Sequence, residues 1–267
     1  MSKPATAAAT NTTPLLSVRG VSVRFGGIQA LTGVSFDVGQ GQIAGLIGPN
    51  GAGKTTLFNC LSRLYSPNEG DITFRGHSIL GMDPHQIAAA GIGRTFQNLA
   101  LFERMTVLDN VMVGHHCRTR SGFFSTALGL GSVAREEAAT LAHARELIAW
   151  LGLERVMLQP AAGLPFGTLK RVELARALAS KPALLLLDEP AGGLNHEEVN
   201  ELAGLIRRIR DEHHMTVLLV EHHMNLVMAV SDKVVALDFG RKIADGDPAQ
   251  VRTNPEVIRA YLGGASR

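Results

Sequence analysis

Residues 43–61 read IAGLIGPNGAGKTTLFNCL, and this stretch decides the fold. Its centre, GPNGAGKTT from Gly48 to Thr56, contains the pattern G-x-x-x-x-G-K-[ST] of a phosphate-binding loop. The apolar run Ile43–Ile47 predicts a buried strand, and Leu57–Leu61 predicts a helix. A strand, a glycine-rich turn and a helix in this order are the context that the motif requires. We therefore interpret the stretch as an anion site rather than a chance turn.

The predicted loop binds through its backbone and its side chains. Glycines let successive N–H groups converge on phosphate oxygens, and the following helix directs its positive end at the same anion. Lys54 is long enough to reach the β- and γ-phosphates, and the Thr55 hydroxyl suits Mg²⁺. The residues assigned to nucleotide binding here are Gly48, Pro49, Asn50, Gly51, Ala52, Gly53, Lys54, Thr55 and Thr56.

The composition indicates a folded domain without a nucleic-acid partner. The chain has 267 residues, 45% of them hydrophobic, and a net charge of only +2. Its two cysteines lack metal or disulfide spacing, which fits a reducing cytosol. Residues 1–13 lack the apolar core of a secretory signal, so we predict a disordered tail before a domain at 14–267. The apolar runs are shorter than the ~20 residues that span a bilayer, so a membrane role would require a partner.

Hydrophobic periodicity divides the domain into three kinds of structure. Alternation in residues 16–38 predicts antiparallel strands. Apolar runs at 184–187, 217–220 and 234–237, separated by helices, predict a parallel sheet covered on both faces. Residues 98–180 predict an α-helical subdomain, and 247–267 a helical tail. The predicted fold is therefore α/β: a P-loop NTPase core with a parallel sheet, an N-terminal antiparallel β subdomain and an α-helical subdomain.

Two carboxylates follow the first of those apolar runs. Asp188 and Glu189 stand at the carboxyl end of the predicted strand, the edge where ligand sites of parallel sheets lie. Asp188 is suited to hold Mg²⁺, and Glu189 to polarise an attacking water as general base. Gln97 could contact both metal and water, and His222, after another buried strand, could hydrogen-bond the γ-phosphate. Either residue alone would have an ordinary structural interpretation.

These motifs, in this order, resemble the nucleotide-binding domain of ABC transporters over nearly the whole chain. By this resemblance Gln97 is the Q-loop glutamine, and Asp188 and Glu189 are the Walker B aspartate and the catalytic base. His222 looks like the switch histidine. Phe25 lies where the family stacks an aromatic ring on adenine, with core packing as the alternative. The resemblance implies an ATPase using ATP and Mg²⁺, with Lys54, Gln97, Glu189 and His222 in catalysis and Thr55, Gln97 and Asp188 at the metal.

The sequence departs from the family at its signature segment. The family reads L-S-G-G-Q where this chain has LPFGT, residues 164–168. Pro165 replaces a serine and offers neither a hydroxyl nor an N–H donor. Gly167, with a helix predicted from Thr168 to Leu178, could still direct a positive helix end at a nucleotide bound by the second subunit. We expect a weaker grip on that phosphate, not loss of function.

A narrower resemblance is to the ATPase subunit of bacterial branched-chain (hydrophobic) amino-acid importers. It rests on RTFQNL at 94–99, a Gly/Phe-rich insertion near 122–124, EHHMNLVM at 221–228 and AYLG at 260–263. It implies a head-to-tail pair with an identical or sibling ATPase subunit, docked on transmembrane permease subunits near 97–103. A solute-binding protein would act indirectly, and the chain would lie peripherally on the cytoplasmic face of the inner membrane.

Three alternatives remain at this point. The lipopolysaccharide-export ATPase resembles the chain but usually lacks the insertion. A soluble ABC ATPase acting on DNA or ribosomes would carry a long coiled coil or a second ATPase domain. A small-molecule kinase could share the loop, but it would not explain Gln97, the signature segment and His222 together. The pairs His115-His116 and His213-His214 are predicted to be exposed histidines rather than metal ligands.

Overall fold

The computed structural model describes residues 13–95, 99–115 and 131–263. Its strands, in chain order, are β1 (Leu16–Phe25), β2 (Ile28–Val38), β3 (Ile43–Ile47), β4 (Glu69–Phe74), β5 (His77–Ser78), β6 (Ile92–Arg94), β7 (Leu184–Asp188), β8 (Thr216–Val220), β9 (Lys233–Asp238) and β10 (Arg241–Gly246). Its helices are α1 (Lys54–Leu61), α2 (Pro84–Ala90), α3 (Val107–His115), α4 (Gly131–Trp150), α5 (Phe166–Ala179), α6 (His196–His213), α7 (Met224–Val230), α8 (Pro248–Thr253) and α9 (Pro255–Gly263), with a 3-10 turn at Glu154–Val156.

The larger sheet has the order β10-β9-β3-β8-β7-β6, in which only β10 is antiparallel to its neighbour. Strands β3, β7 and β8 are buried at every residue, as expected for parallel strands covered on both faces. In register, Leu46 pairs with Val220, and Asp188 pairs with the same residue from the other side. The carboxyl ends of these three strands therefore meet at one edge.

The second sheet, β2-β1-β4-β5, is antiparallel and covers one face of the larger sheet. Alternate residues of each central strand enter different cores. On β8, Leu218 and Val220 join the core shared with the antiparallel sheet and α1, while Val217 and Leu219 join the core formed with the helices on the other face. This alternation fixes the register, because a one-residue slip would exchange the two faces.

The architecture confirms the predicted α/β class, with a parallel sheet, an antiparallel β patch and a helical region. Three strands were not predicted: the two-residue β5, the three-residue β6 and the antiparallel edge strand β10. Helix α1 begins at Lys54 and α5 at Phe166, earlier than the predicted starts at Leu57 and Thr168. Among the described helices, none is both long and apolar enough to cross a membrane.

Three features of the sequence lie wholly or largely outside the described residues. These are the predicted tail at 1–13, the glutamine Gln97 and the insertion around Phe123-Phe124. The prediction of exposed histidines is confirmed for His214 and was wrong for His115 and His213, and His116 lies outside the described residues. His115 and His213 are half-buried, each with its ring edge-on to another ring, those of His143 and Trp150 respectively.

Candidate functional site

The phosphate loop joins β3 to α1, as its sequence predicts. Gly51 and Gly53 have positive φ angles of 81° and 99°, and a side chain at Gly53 would strike the Ala30 carbonyl. Leu57 donates the first hydrogen bond of the helical ladder, to the Gly53 carbonyl at 3.0 Å. The amides from Lys54 to Thr56 precede that bond, so they belong to the unpaired first turn that binds anions.

The Lys54 side chain folds back over its own loop. Its ammonium donates to the carbonyls of Gly48 at 2.6 Å and Pro49 at 3.0 Å, and the residue is buried. Burial lowers the pKa of Lys54, while the nearby carboxylates of Glu189 and Asp188 act in the opposite direction. A phosphate group arriving at the loop would offer this ammonium stronger, charged acceptors.

The acidic end of β7 is held by strong local contacts. Asp188 is buried and forms an ion pair with Arg94, whose Nη2 lies 2.8 Å from Asp188 Oδ2. The Glu189 amide donates to the Val220 carbonyl at 2.9 Å, which continues the β7–β8 pairing past the last strand residue. Glu189 has a φ of 46°, a conformation that costs energy for a residue with a side chain and occurs often at functional sites.

His222 follows β8 and faces Glu189 across the sheet edge. Its Nδ1 lies 4.0 Å from Glu189 Oε2, and half of its side chain is exposed. Behind it, the fully buried carboxylate of Glu221 organises the loop. Glu221 Oε2 accepts from the amides of His222 at 3.0 Å and His223 at 3.2 Å, and Oε1 accepts from the Ala191 amide at 2.7 Å.

These three residues, Glu221, His222 and His223, can bring one ligand atom each within 4.8 Å of one another. Both oxygens of Glu221 already accept backbone N–H donors, and His223 Nδ1 lies 3.1 Å from Oε2. The cluster therefore satisfies its own hydrogen bonding and needs no metal ion to explain it.

Phe25 ends β1 and is 46% exposed, so it does not pack in the core. Its ring meets that of Tyr65 edge to face, with centroids 5.1 Å apart. Two partly exposed aromatic rings form a surface on which a planar base can stack. Tyr65 was not predicted, because nothing in its local pattern separates it from a loop residue.

The signature segment forms the first turn of α5. Pro165 occupies the N-cap position and makes no side-chain cap, and Phe166 and Gly167 are the first helical residues. The Phe166 ring approaches Gly193, since a side chain at Gly193 would meet it at 2.8 Å. Gly167 lies against Glu198 in the same way, so α5 begins close to the segment that leads into α6.

The sheet edge thus brings together the loop, Asp188, Glu189 and His222, as the sequence predicted. Phe25 and Gly167 lie on other elements, at the end of β1 and the start of α5. Sequence reasoning missed Arg94 and Glu221. Glu221 could have been found by the rule that identified Asp188, since it follows an apolar run of a parallel strand. Arg94 carried no such signal.

Comparisons with known proteins agree with this geometry. A model of the ABC transporter family matches residues 31–192, and a model of the branched-chain amino acid ATP-binding cassette transporter matches residues 241–266. The high-affinity branched-chain amino acid transport ATP-binding protein BraF of Pseudomonas aeruginosa is 43% identical, covering 94% of this chain and 99% of its own. LivG of Escherichia coli K12, named for the same activity, is 44% identical with the same coverage.

Solved structures show the same fold. An ATP-binding cassette of an ABC transporter in its ADP conformation superposes with a TM-score of 0.82 at 29% identity, covering 94% of this chain and 100% of that one. A nucleotide-free cassette gives a TM-score of 0.81 at 28% identity, covering 93% and 99%.

Proposed function

The chain belongs to the ABC transporter family, and from this premise we propose that it is the ATP-hydrolysing subunit of an importer of branched-chain or other hydrophobic amino acids. The observation that carries the ATPase is the meeting of a phosphate loop, an acidic strand end and a histidine at one sheet edge. The class of solute rests on the similarity to BraF and LivG along almost the whole chain.

ATP binding begins at the phosphate loop. The first-turn amides of α1 and the positive end of that helix receive the β- and γ-phosphates. Lys54 leaves the carbonyls of Gly48 and Pro49 and pairs with phosphate oxygens instead. Phe25, supported by Tyr65, takes the adenine ring. In each of these steps a group that contacts solvent or a neutral carbonyl in the absence of ATP forms a contact with the nucleotide instead.

The oxygen donors of Thr55 and Asp188 fit Mg²⁺, a small hard cation that prefers oxygen ligands. Gln97, outside the described residues, is the third side chain that we assign to it. When bound, Mg²⁺ supplies neutralisation of charge on the β- and γ-phosphates. Arg94 places a positive charge beside the proposed metal site, and it pairs with one of the two carboxylate oxygens of Asp188.

Hydrolysis requires a positioned water and a proton acceptor. Glu189 orients the water that attacks the γ-phosphorus and accepts its proton, while the bond to the β–γ bridging oxygen breaks. His222, 4.0 Å from Glu189, donates a hydrogen bond to the γ-phosphate. Glu221 holds the backbone on both sides of the site, through Ala191 next to the acidic pair and through the His222 amide.

A second ATPase subunit, identical or sibling, completes the site. The start of α5, with Gly167 in its first turn, is directed at the nucleotide of the facing subunit. ATP therefore stabilises the closed pair, and hydrolysis releases it. Transmembrane permease subunits dock at the cytoplasmic face of the membrane, near residues 97–103. The docking groove has a volume of about 810 Å³ and is lined by Ala100 of that segment and by apolar residues that include Leu64, Ile87 and Val113.

Two experiments test the proposal. The Glu189→Gln variant should bind ATP and accumulate as an ATP-bound dimer, whereas a monomer with normal turnover would refute the role of Glu189. Reconstitution with permease subunits and a solute-binding protein in vesicles should give uptake of labelled leucine that depends on ATP. Stimulation of the ATPase by permeases of a lipopolysaccharide exporter, without such uptake, would instead assign the chain to export.

A further inference from the structure

The C-terminal helix contacts the phosphate loop directly. Helix α9 packs on the core through buried Val257 and half-buried Tyr261. The Tyr261 hydroxyl accepts a hydrogen bond from the amide of Gly48, the first residue of the loop, at 2.9 Å. Burial raises the pKa of the Tyr261 phenol, so the hydroxyl stays neutral near physiological pH.

Gly48 depends on a partner outside the sheet. It is buried, and it lies one residue past Ile47, which makes the last pairing between β3 and β9. A buried N–H without an acceptor is costly, and Gly48 has no side chain that could shield it. A Cβ at this position would overlap the Leu237 carbonyl oxygen, so β9 closes the other side of the residue.

Both backbone polar groups of Gly48 are hydrogen-bonded by side chains from different elements. Tyr261 binds its N–H, and the Lys54 ammonium binds its carbonyl oxygen at 2.6 Å. Farther along the loop, the Gly240 amide donates to the Ala52 carbonyl at 3.0 Å. When Lys54 turns to a phosphate, it releases the Gly48 carbonyl. The bond from Gly48 to Tyr261 is then the contact that keeps the start of the loop in place.

We infer that Tyr261 is a positioning residue for nucleotide binding, and that helix α9 sets the affinity of the phosphate loop through this residue. The inference rests on the proposed function, since it assumes that the loop binds ATP. Tyr261 acts through Gly48 and does not touch the nucleotide. Its removal should therefore weaken binding of ATP and ADP alike and leave the chemical step nearly unchanged.

The test uses the full chain with Tyr261→Phe, which keeps the ring and removes only the hydroxyl. The Kd for Mg·ATP should rise about threefold to tenfold, the range set by the net contribution of one hydrogen bond. In the assembled transporter, KM for ATP should rise similarly while kcat stays within about twofold. Hydrogen exchange at the Gly48 amide should become faster. Leu262→Ala, on the exposed side of the same helix, is the matched control and should change none of these values.

A second variant distinguishes loss of the Tyr261–Gly48 hydrogen bond from a general loss of packing of helix α9. Val257→Ala removes a buried contact of the helix and should lower Tm while Kd stays near the wild-type value. An equal rise of Kd in Val257→Ala and Tyr261→Phe would overturn the inference, as would an unchanged Kd or unchanged Gly48 exchange in Tyr261→Phe. Failure of the wild-type chain to bind Mg·ATP would instead overturn the proposed function.

Discussion

Arg94 and Asp188 form a buried ion pair, with 2.8 Å between Nη2 and Oδ2 and side chains only 10% and 4% exposed. Arg94 also donates to Asn59 Oδ1 at 2.9 Å and Ser62 Oγ at 2.8 Å. One guanidinium thus connects the edge strand β6, the acidic end of β7 and helix α1. It holds the carboxylate that we assign to Mg²⁺ in a fixed position relative to the phosphate loop.

We expect Arg94→Ala to lower the free energy of unfolding by about 3–5 kcal/mol, because it leaves a buried carboxylate without its partner. Arg94→Lys should recover part of this loss, since it restores the charge but not the fork of donors. Urea unfolding of the two variants measures the difference. The matched control is Arg171→Ala, which breaks an ion pair with Glu201 that is about half-exposed and should cost less than about 1 kcal/mol. Equal losses for Arg94→Ala and Arg171→Ala would contradict the prediction.

Glu221 connects the loop after β7 with the loop after β8, and we propose that both flank the γ-phosphate. Glu221→Ala leaves the amides of Ala191, His222 and His223 without their acceptor, so His222 and Glu189 lose their relative position. We expect kcat to fall by about tenfold to a hundredfold, the scale of a small misplacement of catalytic groups. Equilibrium binding of ATP should change by less than about threefold, because the phosphate loop lies on a different strand.

Glu221→Gln should retain more activity than Glu221→Ala, since the amide oxygen still accepts one of these bonds. Exposed Glu197→Gln, in the first turn of α6, is the control and should behave as wild type. A loss of nucleotide binding equal to the loss of kcat in Glu221→Ala would show that the residue acts on the fold as a whole.

The sheets were predictable because burial on one or both faces leaves a local pattern. The apolar runs 43–47 in β3 and 217–220 in β8 predicted covered parallel strands, and alternation predicted the antiparallel patch. The start of α5 was placed two residues late. Proline interrupts a helix interior, but here Pro165 stands at the N-cap, where a missing N–H removes no hydrogen bond from the helix.

The contacts that support the site could not be predicted from local sequence patterns. Arg94 and Asp188 are 94 positions apart, and Gly48 and Tyr261 are 213 apart. Such pairs depend on how distant elements pack, which composition and periodicity do not encode. Motif spacing did predict the groups at the sheet edge, because the carboxyl ends of neighbouring parallel strands must lie together.

We expect two partly buried histidines, His143 and His213, to make stability depend on pH. Burial lowers the pKa of His143 and of His213, and the Nε2 atoms of both lack a hydrogen-bond partner within the described residues. Below the unfolded value of about 6.5 the unfolded chain binds protons more readily, so folding stability falls as pH decreases toward the lower folded values. Charged groups that influence these pKa values are Lys181, His115 and Glu146 for His143, and Glu212, Arg208 and His214 for His213.

We therefore expect the free energy of unfolding to be smaller at pH 5.5 than at pH 7.5, and the difference to shrink in the His143→Gln/His213→Gln variant. Urea unfolding at the two pH values measures both quantities. His77→Gln, at an exposed position, is the control and should keep the wild-type difference. A double variant with the full wild-type dependence on pH would assign the effect to other groups.

Pro165 is the N-cap of α5, the helix whose start we propose to contact the nucleotide of a facing subunit. A serine at this N-cap can accept from an amide of the first turn, which stabilises a helix by about 0.5–2 kcal/mol. In the proposed pair of subunits, the same hydroxyl and the regained N–H would be donors for the γ-phosphate bound by the partner. We expect Pro165→Ser to raise the ATPase rate of the assembled transporter. Pro165→Ala restores only the N–H. The difference in ATPase rate between the serine and the alanine variant therefore measures the contribution of the hydroxyl. An unchanged or lower rate in Pro165→Ser, with assembly intact, would mean that the start of α5 does not limit turnover.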